Sequence, residues 1–131
     1  MAAVFATAVN CIDGRVQIPI IEYIKSRYEV LYVDMITEPG ADMILAENRD
    51  MLLLESIKRR VKISVERHDS GLVVVAGHHD CAANPVSQEE HIGQILASVS
   101  VVESWGFPVK VIGVWVDSGG RVREIPPKER S

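Results

Sequence analysis

The sequence predicts an α/β fold: a three-layer sandwich on a mainly parallel four-stranded sheet in the order 2-1-3-4, with a C-terminal segment placed to return as an antiparallel hairpin strand. Three observations carry this. Short apolar runs alternate with segments of helical periodicity along the whole chain, the pattern of strands joined by crossover helices. Residues 72–76 (LVVVA) are uninterruptedly apolar, as a parallel strand covered on both faces must be. Two polar, thiol-bearing motifs each follow an apolar run directly, where open parallel sheets gather their ligands at the carboxyl ends of strands.

The elements follow in order. Residues 3–9 read as a short buried strand ended by Asn10. Pro19 opens a helix to about residue 27, with Ile20, Ile21 and Ile24 on one side. Residues 29–35 (EVLYVDM) are β-branched and aromatic enough for a second strand, and Thr37-Glu38-Pro39-Gly40 supplies a turn. Residues 42–67 read as mostly helix, with Leu54, Ile57, Val61 and Val65 at helical spacing. Asn48-Arg49-Asp50 interrupts it, Asp50 caps the longer second piece, and Gly71 follows its end. After the third strand, Ser87-Gln88-Glu89-Glu90 is a capping box for a helix running to about Trp105, stopped by Gly106 and Pro108. Residues 109–116 form the fourth strand. Asp117-Ser118-Gly119-Gly120 turns the chain into residues 122–125, and a polar tail begins at Pro126.

Length and composition narrow the classes of function. The 131 residues make a single domain spanning 1–131, long enough for a real core, and 47% of them are hydrophobic in short blocks. With 14 basic and 18 acidic side chains the net charge is −4, which argues against nucleic acid or an anionic membrane as partner. Lys58-Arg59-Arg60 falls inside a helical pattern and reads as a solvated face. No apolar run approaches the roughly 20 residues of a membrane span. The apolar start, residues 1–6, reads as a strand rather than a signal peptide, because no cationic leader precedes it and Asn10 and Asp13 follow closely. Two cysteines without an export signal point to reduced thiols and a cytoplasmic location.

The chemistry concentrates in Cys11, Asp13 and Arg15 after the first strand and in His78 and Cys81 after the third. In the order 2-1-3-4 these strands are neighbours, so the motifs meet in space. In an extended segment residues two apart share a side; Cys11, Asp13 and Arg15 then face one site, Ile12 faces the core and Gly14 lets the backbone bend. Two thiolates and an imidazole suit one borderline-soft ion, Zn²⁺, and leave one tetrahedral position. Asp13 or a water takes it. Arg15 offers a bidentate partner that keeps Asp13 off the metal, and water then binds and loses a proton near neutral pH.

The neighbours carry alternative readings. His78 suits the ligand position better than His79, which becomes an outer contact or proton shuttle. Asp80 hydrogen-bonds backbone or histidine. Gln17 either donates to a bound oxyanion or serves helix entry. His91 reads as packed and His68 as exposed near a helix end, while Trp105, Phe107 and Trp115 read as core. Each cysteine alone is a small buried hydrophobe; together, with polar companions at metal spacing, they point to zinc.

The motifs Cys11-Ile12-Asp13-Gly14-Arg15 and Gly77-His78-His79-Asp80-Cys81 resemble those of the β-class carbonic anhydrases. The stretch Gly113-Val114-Trp115-Val116-Asp117 followed by Gly120 is similar to that family's last strand and turn, so the likeness runs in order over about residues 5–125. It implies zinc held by Cys11, His78 and Cys81, Asp13 as fourth ligand or catalytic partner, and Arg15 as its clamp. It also implies reversible hydration of CO₂ to bicarbonate and a homodimer with active sites near the subunit interface. The chain departs from the family in its short length, with no room for an N-terminal helical arm. Thr37-Glu38-Pro39-Gly40 replaces an Arg-Asn-Ala stretch, and Ala82-Ala83-Asn84 stands in place of glycine-rich sequence. A related hydrolase of carbonyl sulfide or carbon disulfide would share the centre. A non-catalytic zinc module would keep Asp13 on the metal, and a two-cysteine redox protein would bind none.

Overall fold

In the computed structural model, which describes residues 4–127, the elements run β1 (Phe5–Asn10), α1 (Gly14–Tyr28), β2 (Tyr32–Thr37), α2 (Ala41–Glu47), α3 (Met51–His68), β3 (Leu72–His78), α4 (Gln88–Ser104), β4 (Lys110–Val116) and β5 (Val122–Ile125). They form one sheet in the order β2-β1-β3-β4-β5. The first four strands are parallel, and β5 joins β4 antiparallel. The C-terminal segment is therefore a fifth strand of the sheet itself. Residue 3, expected in the first strand, and residues 128–131 of the expected tail lie outside the described residues.

Alternation along the strands builds two cores. Ala6, Ala8, Val74, Ala76, Ile112 and Val114 face α1 through Val16, Ile20 and Ile24. Val9, Val73 and Val75 face the opposite layer, where α2 gives Leu45, α3 gives Leu54, Ile57 and Val61, and α4 gives Val99 and Val102. One helix thus covers one face and three cover the other. All seven residues of β3 are buried, as its unbroken apolar run requires.

Local capping chemistry decides several boundaries. The Asp50 carboxylate accepts from Leu53 N at 3.2 Å and opens α3 after the break at 48–50, and Ser87 Oγ accepts from Glu90 N at 3.1 Å to open α4. Helix α1 departs from expectation: it begins at Gly14, capped by the Asp13 side chain, and Pro19 lies inside it. A proline there removes one backbone hydrogen bond and costs about 3 kcal/mol. Burial of Val16, Ile20 and Ile24, at roughly 1.5–3 kcal/mol each, offsets that cost. Because α1 starts so early, residues 11–15 are not an extended segment, and Ile12 is 58% exposed instead of facing the core.

Helix α1 runs on past residue 27 to Tyr28, Glu29 caps its end in the left-handed region (φ 56°), and β2 starts only at Tyr32. The basic cluster is only partly a solvated face, since Arg60 reaches back to pair with Glu38 in the loop after β2.

Candidate metal centre

Strands β1 and β3 pair side by side, with Val9 opposite Val75, and the chain diverges from their carboxyl ends into α1 on one face and α4 on the other. Both thiol motifs arise at this divergence. The first is stapled by two amides that the sequence did not mark as a pair. Asn10 Nδ2 donates to Gln17 Oε1 (2.9 Å) and to the Cys11 carbonyl (3.0 Å), while Gln17 Nε2 donates to the carbonyls of Cys11 (2.7 Å) and Asp13 (2.8 Å). Gln17 therefore holds the loop at the entry to α1, the second of its two expected roles.

Cys11, His78 and Cys81 converge. All three are buried, and their ligand atoms lie within 4.8 Å of one another. The two sulfurs are 3.9 Å apart, far beyond a disulfide bond and close to the roughly 3.8 Å that separates two thiolates on one tetrahedral zinc with bonds of about 2.3 Å. His78 Nδ1 meets the His79 carbonyl at 2.8 Å, so this nitrogen carries the proton. Its Nε2 is buried and has no hydrogen-bond partner among the described residues. A bare imidazole lone pair beside two thiols is costly without an electrophile, so the donor set fits a metal ion. Burial and the neighbouring Cys11 thiol push the Cys81 thiol up to about 11, while the backbone N–H groups of Ala83 and Asn84 oppose the shift.

Asp13 stands outside this trio and is clamped by Arg15. Arg15 NH2 lies 2.6 Å from Oδ2, Arg15 Nε lies 3.1 and 3.2 Å from the two oxygens, and Arg15 N donates to Oδ1 at 2.9 Å. The Arg15 side-chain and backbone hydrogen bonds hold the Asp13 carboxyl at about 2, well below its ordinary value. Asp13 Oδ2 remains 4.0 Å from His78 Nδ1, at the edge of the trio. Asp80, in the left-handed region (φ 58°), accepts from Arg15 through its carbonyl (3.1 Å) and its carboxylate (3.4 Å), so it faces the arginine and not a histidine.

A cavity of about 180 Å³ touches the trio at His78 and is lined besides by Arg15, Val16, His79, Val116, Asp117, Ser118 and Gly120. At about 30 Å³ per water it holds roughly six, enough for a triatomic molecule and below the range of drug-sized pockets. The exposed His79 side chain borders it, and the His79 backbone N–H is fixed by donation to the Val116 carbonyl at 2.9 Å. The remaining histidines lie away from the trio. His68 pairs with Asp34 (2.7 Å) and stacks on Phe5, and His91 is packed at 1% exposure against Asp42 and Trp115. Trp115 is core, whereas Trp105 and Phe107 pack half-buried at its margin.

The sequence matches the family described as "putative carbonic anhydrase" over residues 1–126, and the chain belongs to that family. No curated protein sequence matches it. The fold is similar to the β-carbonic anhydrase isoform I of Trichomonas vaginalis, with a TM-score of 0.62 at 14% identity over 95% of this chain and 84% of that one. It is also similar to the tetrameric β-carbonic anhydrases of Sordaria macrospora, with a TM-score of 0.56 at 15% identity over 95% of this chain and 81% of the other. The mostly parallel sheet with its C-terminal antiparallel pair is thus the carbonic anhydrase fold of the β class.

Proposed function

We propose that this chain is a zinc-dependent carbonic anhydrase that interconverts CO₂ and bicarbonate. The observation that carries the reading is the unpartnered, buried His78 Nε2 facing two free thiols whose sulfurs are 3.9 Å apart. Cys11, His78 and Cys81 would hold the ion. When bound, zinc supplies the Lewis acidity that makes water reactive at neutral pH. Water adds its oxygen to the carbon of CO₂ and gives up one proton, yielding bicarbonate.

The chain's own residues orient that water. Asp13, held at about 2, stays a carboxylate at neutral pH and accepts a hydrogen bond; it is too weak a base to carry the proton away. Arg15 fixes the carboxylate by a forked pair and keeps it available to water instead of to the ion. This clamp favours the enzyme over a module in which Asp13 would close the site. The 180 Å³ cavity admits CO₂ and bicarbonate.

Exposed Ile12 and Ile18, at 58% and 65%, flank the site, and we assign them to contact with a second copy in a homodimer. The free cysteines suit a reducing compartment such as the cytoplasm, and no helix among the described residues is long and apolar enough to cross a membrane.

Stopped-flow CO₂ hydration by the zinc-loaded protein tests the reaction. Clear hydration that a chelator abolishes and zinc restores is the expected result. Zinc-loaded protein without hydration would overturn the reaction and leave carbonyl sulfide or carbon disulfide as the substrates to try.

A further inference from the structure

A second buried polar group sits three residues beyond Cys81. Asn84 is 2% exposed, and its Nδ2 donates to Gln94 Oε1 at 2.6 Å and to Asp42 Oδ1 at 3.3 Å. Asp42, in the first turn of α2, is equally buried. Its Oδ1 also accepts from Met43 N at 3.0 Å, and its Oδ2 accepts from His91 Nδ1 at 2.6 Å. Ser98 Oγ donates to the Asp42 carbonyl at 2.8 Å. The strand makes room for this carboxylate: a Cβ on Gly77, next to His78, would lie 2.6 Å from Asp42 Oδ2.

Burying a carboxylate is expensive unless every oxygen is engaged, and removing one partner of such a network costs far more than the network gains. Here the network leads to a metal ligand. Asn84 N donates to the Cys81 carbonyl at 3.2 Å and closes the turn at 81–84.

Resting on the metal-centre reading, we propose that Asp42 and Asn84 are positioning residues for Cys81: the buried carboxylate grips the Asn84 side chain, and the grip, passed through the Asn84 N–H on the Cys81 carbonyl, sets where the turn presents the sulfur. None of these side chains reaches the trio; they act through the 81–84 backbone. Outer contacts of this kind typically change metal affinity about 10- to 100-fold.

The test uses Co²⁺ alone as the probe, with affinity from chelator competition and the thiolate-to-cobalt charge-transfer band as a second readout. Asn84→Ala should weaken Co²⁺ binding about 10- to 100-fold and shift the band. Gln94→Ala removes one anchor at a half-buried helix position, so the chain stays folded, and it should move both readouts the same way by less. Ser70→Ala removes buried hydrogen bonds to Thr7 and Leu72 on another part of the sheet. It should lower the melting temperature and leave both readouts unchanged. Folded Asn84→Ala or Gln94→Ala protein with affinity within twofold of wild type and the same band would overturn the inference alone. Wild-type protein that takes up no Co²⁺ would overturn the metal-centre reading and the inference with it.

Discussion

At the scale of single residues, the arrangement turns on Arg15. Its fork holds Asp13 ionised: the folded-state value is about 2, so the pairing is complete above the ordinary carboxylate value of 3.8 and is lost only as pH falls towards 2. The pairing is solvent-screened, because Arg15 is largely exposed, and its role is orientation more than stability. Arg15→Ala should therefore cut CO₂ hydration about 10- to 100-fold while zinc content stays at wild type; zinc loss in this variant would make Arg15 a structural clamp. Cys81 titrates in the opposite sense. Its thiol is raised to about 11 by burial and by Cys11, so the metal-free fold favours the protonated form below the ordinary value of 9.0 and loses that stabilisation as pH climbs towards 11. Metal must displace this proton. Zinc uptake at pH 8 should release at least one proton per ion, read by an indicator in weak buffer, and affinity should fall as pH falls. Uptake with no proton release would contradict a thiolate ligand.

At the scale of elements, the start of α1 decides what the first motif can do. Two signals compete there, since Asp13 is a good cap and Pro19 is a good first helical residue. Asp13 wins because Val16 joins Ile20 and Ile24 in the core only if the helix begins at Gly14. The carboxylate consequently spends one oxygen on the helix cap and both on Arg15. Pro19→Ala restores a helical N–H worth about 3 kcal/mol, less up to about 1 kcal/mol from the freer unfolded chain, a net gain of about 2 kcal/mol. For a domain of this size that should raise the melting temperature by roughly 4–10 °C; a lower melting temperature would mean the proline is needed for packing.

The capping residues Asp50 and Ser87 and the unbroken apolar run of β3 were legible because each acts on its own neighbourhood. The Asp42, Asn84 and His91 network was not. Its partners are 42 and 49 residues apart, and nothing in the local pattern of Ala41-Asp42-Met43 announces a buried carboxylate. The staple between Asn10 and Gln17 is half legible, since the place of Gln17 just before Pro19 suggests helix entry while Asn10 suggests only the end of a strand.

At the scale of the whole molecule, topology does what spacing alone could not. Cys11 and Cys81 are 70 residues apart, and the order β2-β1-β3-β4-β5 brings their sulfurs to 3.9 Å by making β1 and β3 neighbours. The sequence foresaw that meeting because alternating strands and helices leave few right-handed parallel arrangements. It also foresaw residues 122–125 returning as an antiparallel strand after the fourth, which β5 does beside β4, but not that residues from the intervening turn, Asp117, Ser118 and Gly120, wall the cavity next to His78. The zinc site proposed for this topology is built from Cys11, His78 and Cys81. Its most direct test is elemental analysis of zinc per chain in protein purified without chelator, alongside Cys81→Ala prepared the same way. One zinc per wild-type chain and a large loss in the variant are expected; wild-type protein without zinc would mean that Cys11, His78 and Cys81 form no zinc site.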